Sequence, residues 1–315
     1  MPFVTAFYRA LGTGMVISVD SPIDDKVRSA MESLIEDYEH VLSRFRNDSL
    51  IAAIGKAEHG GSFDFPDWCA PLFDLYDALF SATSGAIDPC VGEDLIRLGY
   101  DASLSFTVTQ DAPKHLGALR GRAVWGRDVT RHGTTLVTHE PVQLDFGACG
   151  KGYLVDLLGR MLQSSQFVID AGGDLLIHAE QPISVALEDP EDQSHAIGIA
   201  HIANGALCAS APSRRHWNVA VNERTQIAIH HLLNAIDGLP AQQTEASWAY
   251  IPANATLNLA RDYPTAVADG LATALFVSDV AQLQRTFDFT YATLDESRQI
   301  AVSRNFPAEL FLRSA

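Results

Sequence analysis

The chain has 315 residues, of which 47% are hydrophobic, 9% aromatic and 19% charged. That is enough apolar material for a substantial core and excludes bulk disorder. With 39 Asp and Glu against 22 Lys and Arg, the formal charge is −17; so acidic a surface repels phosphate backbones and anionic lipid, which argues against nucleic acid as the main partner.

In chain order, residues 5–20 alternate and are rich in β-branched side chains, which predicts a strand broken at Gly12-Thr13-Gly14. Ser21-Pro22 opens a helix with Asp24 and Asp25 in its first turn. Val27, Met31, Leu34, Ile35, Tyr38, Val41, Leu42 and Phe45 mark its apolar face. A polar connection through Gly60-Gly61 leads to a second helix over 66–83, stopped by Ser84-Gly85. Residues 101–143 read as short strands and turns. A third helix is predicted from Lys151 to Gln163, with strands near 166–170 and 175–187 and mixed strand and loop over 205–260. The last helix follows Pro264 and carries Val267, Leu271, Leu275 and Phe276.

Helices and strands come in mixed order without regular βαβ alternation, which predicts an α+β fold with mixed or antiparallel sheets and packed helices. No repeat, low-complexity tract or linker divides the chain, so residues 1–315 read as a single compact domain of two packed lobes. The N-terminus lacks a basic segment followed by a long apolar one, so a cytoplasmic location is expected. The most apolar late stretch, Ala266 to Val277, contains Asp269 and is too short to insert in a membrane. Cys69, Cys90, Cys149 and Cys208 are far apart, without the spacing of a disulfide framework or a structural zinc site.

Several segments could carry chemistry. A strand ending in Asp145 enters the Gly-rich turn Gly147 to Gly152, which opens a helix; exposed N–H groups and Lys151 suit a phosphate there. The spacing is neither a Walker A loop nor a Rossmann fingerprint, and the plain alternative is a strand–turn–helix junction. Asp269 and Thr273, four apart on one helix face, could hold a hard cation such as Mg²⁺, or could serve the helix itself. Asp88 before Pro89 reads as a turn former. Gly172-Gly173-Asp174 reads as a tight turn or a close backbone approach to a ligand. His230-His231 sits in an apolar run and reads first as structural, and Arg214-Arg215-His216 is a small basic island that could meet an anion.

Taken together, these segments resemble the ApbE family, the FAD:protein FMN transferases, over residues 8–290. LGTGM at Leu11–Met15 resembles the opening M-G-T strand, with Leu11 in place of Met. SRFRNDS at 43–49 is similar to S-x-F/Y-x-x-x-S, and TSGAIDPCVGEDLIRLGY at 83–100 to T-x-G-A-F-D-P-T-V-G-P-L-V-x-L-W-G-F. LDFGACGKGYLVD at 144–156 resembles D-L-G-A-I-A-K-G-Y-A-V-D, DAGGDL at 170–175 resembles N-x-G-G-D-I, and VADGLATALFV at 267–277 resembles x-A-D-x-L-A-T-A-L-F-V.

The resemblance implies an enzyme that splits FAD with Mg²⁺, passes FMN to a Ser or Thr hydroxyl of an acceptor protein and releases AMP. It implies Mg²⁺ at the Ala148 carbonyl, Asp269 and Thr273, and an FAD site lined by Leu11, Ala86, Ile87, Asp88, Asp145, Lys151, Gly172 and Gly173. Phe45 would pack on the flavin, and His231 is the candidate general base. Two segments depart from the pattern. H-I-I-D-P-R-T-G is here His231-Leu232-Leu233-Asn234-Ala235-Ile236-Asp237-Gly238, and T-S-G is Ala209-Ser210-Ala211. The other readings are an FAD pyrophosphatase, in which water replaces the acceptor hydroxyl, and a non-catalytic FAD carrier.

Overall fold

The computed structural model describes residues 1–222 and 225–311. The chain opens with a hairpin, β1 (Phe3–Ala10) and β2 (Thr13–Val19), followed by α1 (Asp25–Leu42), α2 (Leu50–Lys56), β3 (Gly61–Asp64), α3 (Ala70–Ala82), α4 (Gly92–Arg97) and α5 (Ala112–His115). Then come β4 (Val129–His132), β5 (Thr135–Thr138), α6 (Gly150–Gly159), β6 (Phe167–Asp170), β7 (Asp174–Glu188), β8 (Ala196–Ser210), β9 (His216–Asn222) and β10 (Thr225–His230). The rest is β11 (Leu233–Asn234), β12 (Leu239–Pro240), β13 (Thr244–Pro252), α7 (Asn258–Asp262), α8 (Pro264–Ala274), α9 (Val280–Leu283), β14 (Thr290–Asp295), β15 (Ile300–Val302) and β16 (Ala308–Leu310).

The main sheet runs β1-β2-β6-β7-β8-β13-β14-β15, with β16 on the other half of the long β8. Neighbouring strands in it are antiparallel, so the expected α+β class is what forms. The two-residue period of a strand separates two cores. On β8, Ala206 and Cys208 face the helices while Leu207 faces away; on β13, Ala249 and Ile251 face the helices while Trp248 faces away. The helical side buries apolar faces of α1, α3, α6 and α8. The far side is closed by the sheet itself: Leu187, Ile197 and Ile202 cluster with Ile177, Trp248 and Leu294. A smaller cluster joins Leu95, Leu98, Ala112, Leu116, Trp217, Ile229 and Leu233. Among the described residues no helix is long and apolar enough to cross a membrane, and all four cysteines are buried and free.

Element ends differ from expectation for local reasons. The predicted first strand is two, because Leu11-Gly12 make the turn and Thr13 already belongs to β2. α1 starts after Asp24, not at Ser21-Pro22, because the Asp24 carboxylate accepts the Val27 N–H at 2.8 Å. α3 is preceded by a short 3₁₀ turn at Asp67–Cys69, and Ser84 (φ 53) and Gly85 (φ 88) end it as expected. α6 stops at Gly159, short of Gln163.

α6 and α8 lie against each other antiparallel and cap one another. Asp156 on α6 accepts the Thr265 N–H at 3.1 Å and the Ala266 N–H at 2.8 Å, the open donors at the start of α8. Asp269 on α8 accepts the Gly152 N–H in the first turn of α6 at 3.0 Å. The approach is close enough that a Cβ on Gly152 would stand 2.3 Å from the Thr265 carbonyl oxygen. Burial pushes the Asp156 carboxyl up to about 7, against the pull of those hydrogen bonds. Leaving a buried donor unpaired costs roughly 1–3 kcal/mol, so with two donors orphaned Asp156→Ala is expected to lower the unfolding free energy in urea by at least about 2 kcal/mol. A loss under about 0.5 kcal/mol, the scale of an ordinary surface change, would show that the helix pair does not rely on this carboxylate.

Candidate active site

The N-terminus of α6 is the floor of the site. The Asp145 carboxylate accepts the Gly147 N–H at 2.6 Å and pairs with the Arg44 guanidinium, which closes the turn that leads into the helix. Tyr38 on α1 donates to the Gly150 carbonyl at 2.7 Å and anchors the turn from below. Lys151 Nζ reaches Asp269 at 3.1 and 3.2 Å and also donates to Asp174. Thr273 Oγ1 lies 3.4 Å from the Ala148 carbonyl oxygen and 3.5 Å from Ser210 Oγ. Of the expected metal set, Thr273 on α8 thus meets Ala148 in the turn before α6, and Asp269, one turn earlier on α8, meets Lys151 and Gly152 in the first turn of α6.

Two carboxylates here share one ammonium. The side chains of Asp174 and Asp269 are 1% and 2% exposed, against 34% for Lys151. Burial, and then the charge of Asp174, push the Asp269 carboxyl up to about 7, while Lys151 pulls it back. Burial alone would lower the Lys151 ammonium, but Asp174 and Asp269 outweigh it and hold it above its ordinary value. Asp174 Oδ1 is buried without a hydrogen-bond partner. An all-oxygen donor set, an excess of negative charge and an unpaired acceptor fit a hard cation. Among the described residues no three His, Cys, Asp or Glu side chains gather as a metal cage, but Mg²⁺ needs only one or two carboxylates beside neutral oxygens.

The wall above this floor is aromatic and basic. The Arg44 guanidinium lies 4.1 Å from the Phe45 ring centroid and 4.6 Å from that of Tyr100, and Tyr100 stacks on Trp217 at 5.8 Å. Phe45 remains 41% exposed, so an apolar ring with a cation against its face is open to solvent. Leu11 sits in the first hairpin turn with φ 55, and its N–H donates to Glu39 at 2.7 Å. Arg215 Nη2 donates to the Gly12 carbonyl at 3.2 Å and ties that turn to the segment before β9.

His231 binds Arg215 twice: its N–H and its Nδ1 meet the Arg215 carbonyl at 3.3 and 3.1 Å. A carbonyl only accepts, so Nδ1 carries the proton and Nε2 keeps a lone pair. Burial pushes the ring down to about 4; His230 and Lys151 push the same way, and Arg215 and Asp145 push back. The ring is neutral at pH 7, the state a proton acceptor requires.

Three of the residues expected to line the ligand site, Ala86, Ile87 and Asp88, lie in the protein's interior, 2%, 4% and 3% exposed. Asp88 accepts the Cys90 N–H at 2.8 Å and pairs with the buried Arg122, so its carboxylate is engaged within the fold. Gly172 and Gly173, with φ 71 and 107, form a turn whose N–H groups both bond Asp170. They line a small surface cleft together with Ser210, Arg214, Glu188 and Trp248. Arg44 and the roles of Asp174 and Ser210 were not foreseen. Asp174 does follow the Gly172-Gly173 turn, but nothing local to Arg44 signals that it folds inward onto Asp145.

A family profile described as the ApbE family matches residues 11–293. The FAD:protein FMN transferase of Klebsiella pneumoniae (strain 342) is 23% identical over 273 residues, 83% of this chain and 74% of that protein. The protein of the same name from Treponema pallidum (strain Nichols) is 27% identical over 286 residues, 80% and 72% of the two chains. Among solved structures, the ApbE protein of Thermotoga maritima superposes with a TM-score of 0.77 at 19% identity, covering 98% of this chain and 99% of that one. The flavin transferase ApbE of Vibrio cholerae superposes with a TM-score of 0.75 at 17% identity, covering 96% and 98%. At such identities the structural likeness speaks for the fold.

The His231 environment sets a pH dependence. Because the folded ring titrates at about 4 and an unfolded histidine near ~6.5, the unfolded chain binds the extra proton first as pH falls. The contribution of the neutral ring is present above ~6.5 and is lost as pH drops through the folded value. The stability difference between wild type and His231→Gln is therefore expected to shift against wild type as the pH is lowered across that window. An NMR titration assigned with the same variant should show the ring still neutral at pH ~6; an ordinary titration there would show a ring bathed in solvent.

Proposed function

The chain belongs to the ApbE family, and from that premise we propose that it is a flavin transferase that attaches FMN from FAD, through a phosphoester, to a Ser or Thr hydroxyl of an acceptor protein. The observation that carries this reading is the convergence of Ala148, Asp269, Thr273 and Lys151 at the start of α6. Mg²⁺ held by the Ala148 carbonyl, the Asp269 carboxylate and the Thr273 hydroxyl would neutralise charge on the pyrophosphate and on the departing AMP. Lys151 adds a positive charge beside the same phosphates, and the first turn of α6 offers N–H groups. Phe45, backed by Arg44, gives the isoalloxazine ring a surface to stack on.

The acceptor hydroxyl oxygen forms a bond to the FMN phosphorus while the phosphorus–oxygen bond to AMP breaks, and AMP leaves with the bridging oxygen. The hydroxyl proton passes to Nε2 of His231, whose tautomer is set by the Arg215 carbonyl. Water in place of the hydroxyl would give FMN and AMP, and the replaced segments 209–211 and 234–237 make that outcome worth measuring. Incubation with FAD and Mg²⁺, with and without Ser/Thr-bearing acceptor proteins, is expected to yield AMP matched by protein-bound flavin. AMP with free FMN would indicate hydrolysis, and tightly held FAD without AMP a carrier.

Asp269→Asn keeps a carbonyl oxygen for Gly152 but loses the anionic ligand, so Mg²⁺-dependent AMP release is expected to collapse while the melting temperature holds. Thr273→Val should reduce it more mildly. Identical Mg²⁺ curves for the three proteins would refute the metal assignment. Lys151→Ala removes a charge-assisted contact worth roughly 1.5–3 kcal/mol, so FAD should bind about ten- to a hundredfold more weakly by calorimetry. An unchanged constant would leave Lys151 with its two carboxylates as its whole role.

A further inference from the structure

Among the described residues Arg122 is the largest side chain that is fully buried, and no step of the chemistry above uses it. It stands where three segments meet. Its Nε lies 2.8 Å from Asp94 Oδ2, and Nη1 and Nη2 each donate to Asp88 Oδ2 at 3.3 Å. Nη1 also donates to the Ala123 carbonyl, and Nη2 donates to the Ala235 carbonyl at 2.7 Å. Ala235 lies in the segment where Asp, Pro, Arg and Thr of the family pattern are replaced by Asn234, Ala235, Ile236 and Asp237.

The same segment is held along its backbone by the residues just before Arg122. The Ala118 N–H donates to the Ala235 carbonyl at 3.1 Å, and the Leu119 N–H to the Ile236 carbonyl at 3.0 Å. Arg120 Nη1 donates to the Asp237 carbonyl at 3.1 Å, and the Ala235 N–H donates to the Ala86 carbonyl at 3.0 Å. Gly117 (φ +76) and Gly238 (φ +72) meet backbone to backbone; a Cβ on Gly117 would stand 2.3 Å from the Asp237 carbonyl carbon. Asp94, paired with Arg122, accepts the Gly117 N–H at 2.8 Å through its other oxygen.

We infer that Arg122 is a positioning residue: with residues 117–120 it braces the loop 234–238, which lacks the family's own arginine, and thereby fixes His231 at the head of that loop. A planar guanidinium is needed, because one side chain must reach two carboxylates and two carbonyls at once, and a lysine ammonium cannot span them. Its effect on turnover rests on the transferase reading, since His231 matters to the rate only if that reading stands.

The test uses the full chain with Arg122→Lys, which keeps the charge between Asp88 and Asp94 but not the fork, and Arg122→Gln. Amide hydrogen exchange is expected to speed up at least ~10-fold over residues 232–240 in Arg122→Lys while α6 and α8 keep wild-type rates. AMP release at saturating FAD should fall at least ~10-fold with the FAD dissociation constant little changed, as for a misplaced base. Arg122→Gln should exaggerate both effects. Unchanged exchange over 232–240 in the two variants overturns the inference. So does exchange that rises equally in α6 and α8 of Arg122→Lys, or a loosened loop with wild-type AMP release. If wild type releases no AMP, the transferase reading fails on its own, and the exchange pattern still decides whether Arg122 is the brace.

Discussion

The Asp156 carboxylate on α6 accepts the opening N–H groups of α8, and the Asp269 carboxylate on α8 accepts an N–H in the opening turn of α6. A helix start carries unpaired donors and a partial positive charge, and here each helix supplies a carboxyl oxygen that accepts from the other. The pair cannot slide along its common axis without breaking a cap at one end, and it cannot separate without exposing both. Gly152 allows the contact by leaving room for the Thr265 carbonyl. Because Lys151 stands in the first turn of α6 and Thr273 one turn beyond Asp269 on α8, the same lock fixes where the ammonium, the carboxylate and the hydroxyl meet.

Charge is distributed unevenly around that lock. The chain as a whole carries −17, yet Arg44, Lys151 and Arg215 all act on the Tyr100 phenol, alongside Asp145. Two of those cations are already paired, Arg44 with Asp145 and Lys151 with Asp174 and Asp269, so positive and negative groups alternate along this wall. Arg44 serves three purposes there: it neutralises Asp145, bonds the Tyr100 carbonyl and backs two rings. Such a guanidinium, weakly hydrated and flat, can be covered by aromatic surface at little desolvation cost.

Much of this was legible in the sequence, and what was not has a common cause. α8 announced itself by Pro264 and by Val267, Leu271 and Leu275 on one face, and α6 by the Gly-rich turn before it. Asp269 and Thr273 could be paired from their spacing alone. Ala148 entered through the resemblance and not from any pattern of its own. The partners that decide electrostatics are distant in the chain: Lys151 meets Asp174 and Asp269 across 23 and 118 positions, and Asp88 meets Arg122 across 34. Periodicity sees one element at a time, so it read Asp88 as a turn former and could not see that its carboxylate is spoken for inside the fold. The N-cap at Asp24 was misplaced for a simpler reason: two acidic residues and a Ser-Pro pair compete for the role within five positions.

Since α6 and α8 hold each other's starts, the bonds that set their register come from neither Ala209-Ser210-Ala211 nor the loop from Asn234 to Gly238. Those stretches can drift in composition while the base plate beneath them keeps its shape. The altered segments 209–211 and 234–237 lie there, whereas Ala148, Lys151, Asp156, Asp269 and Thr273 keep the residues of the family pattern. In a protein built this way the register of the base plate is set apart from the composition of the rim above it.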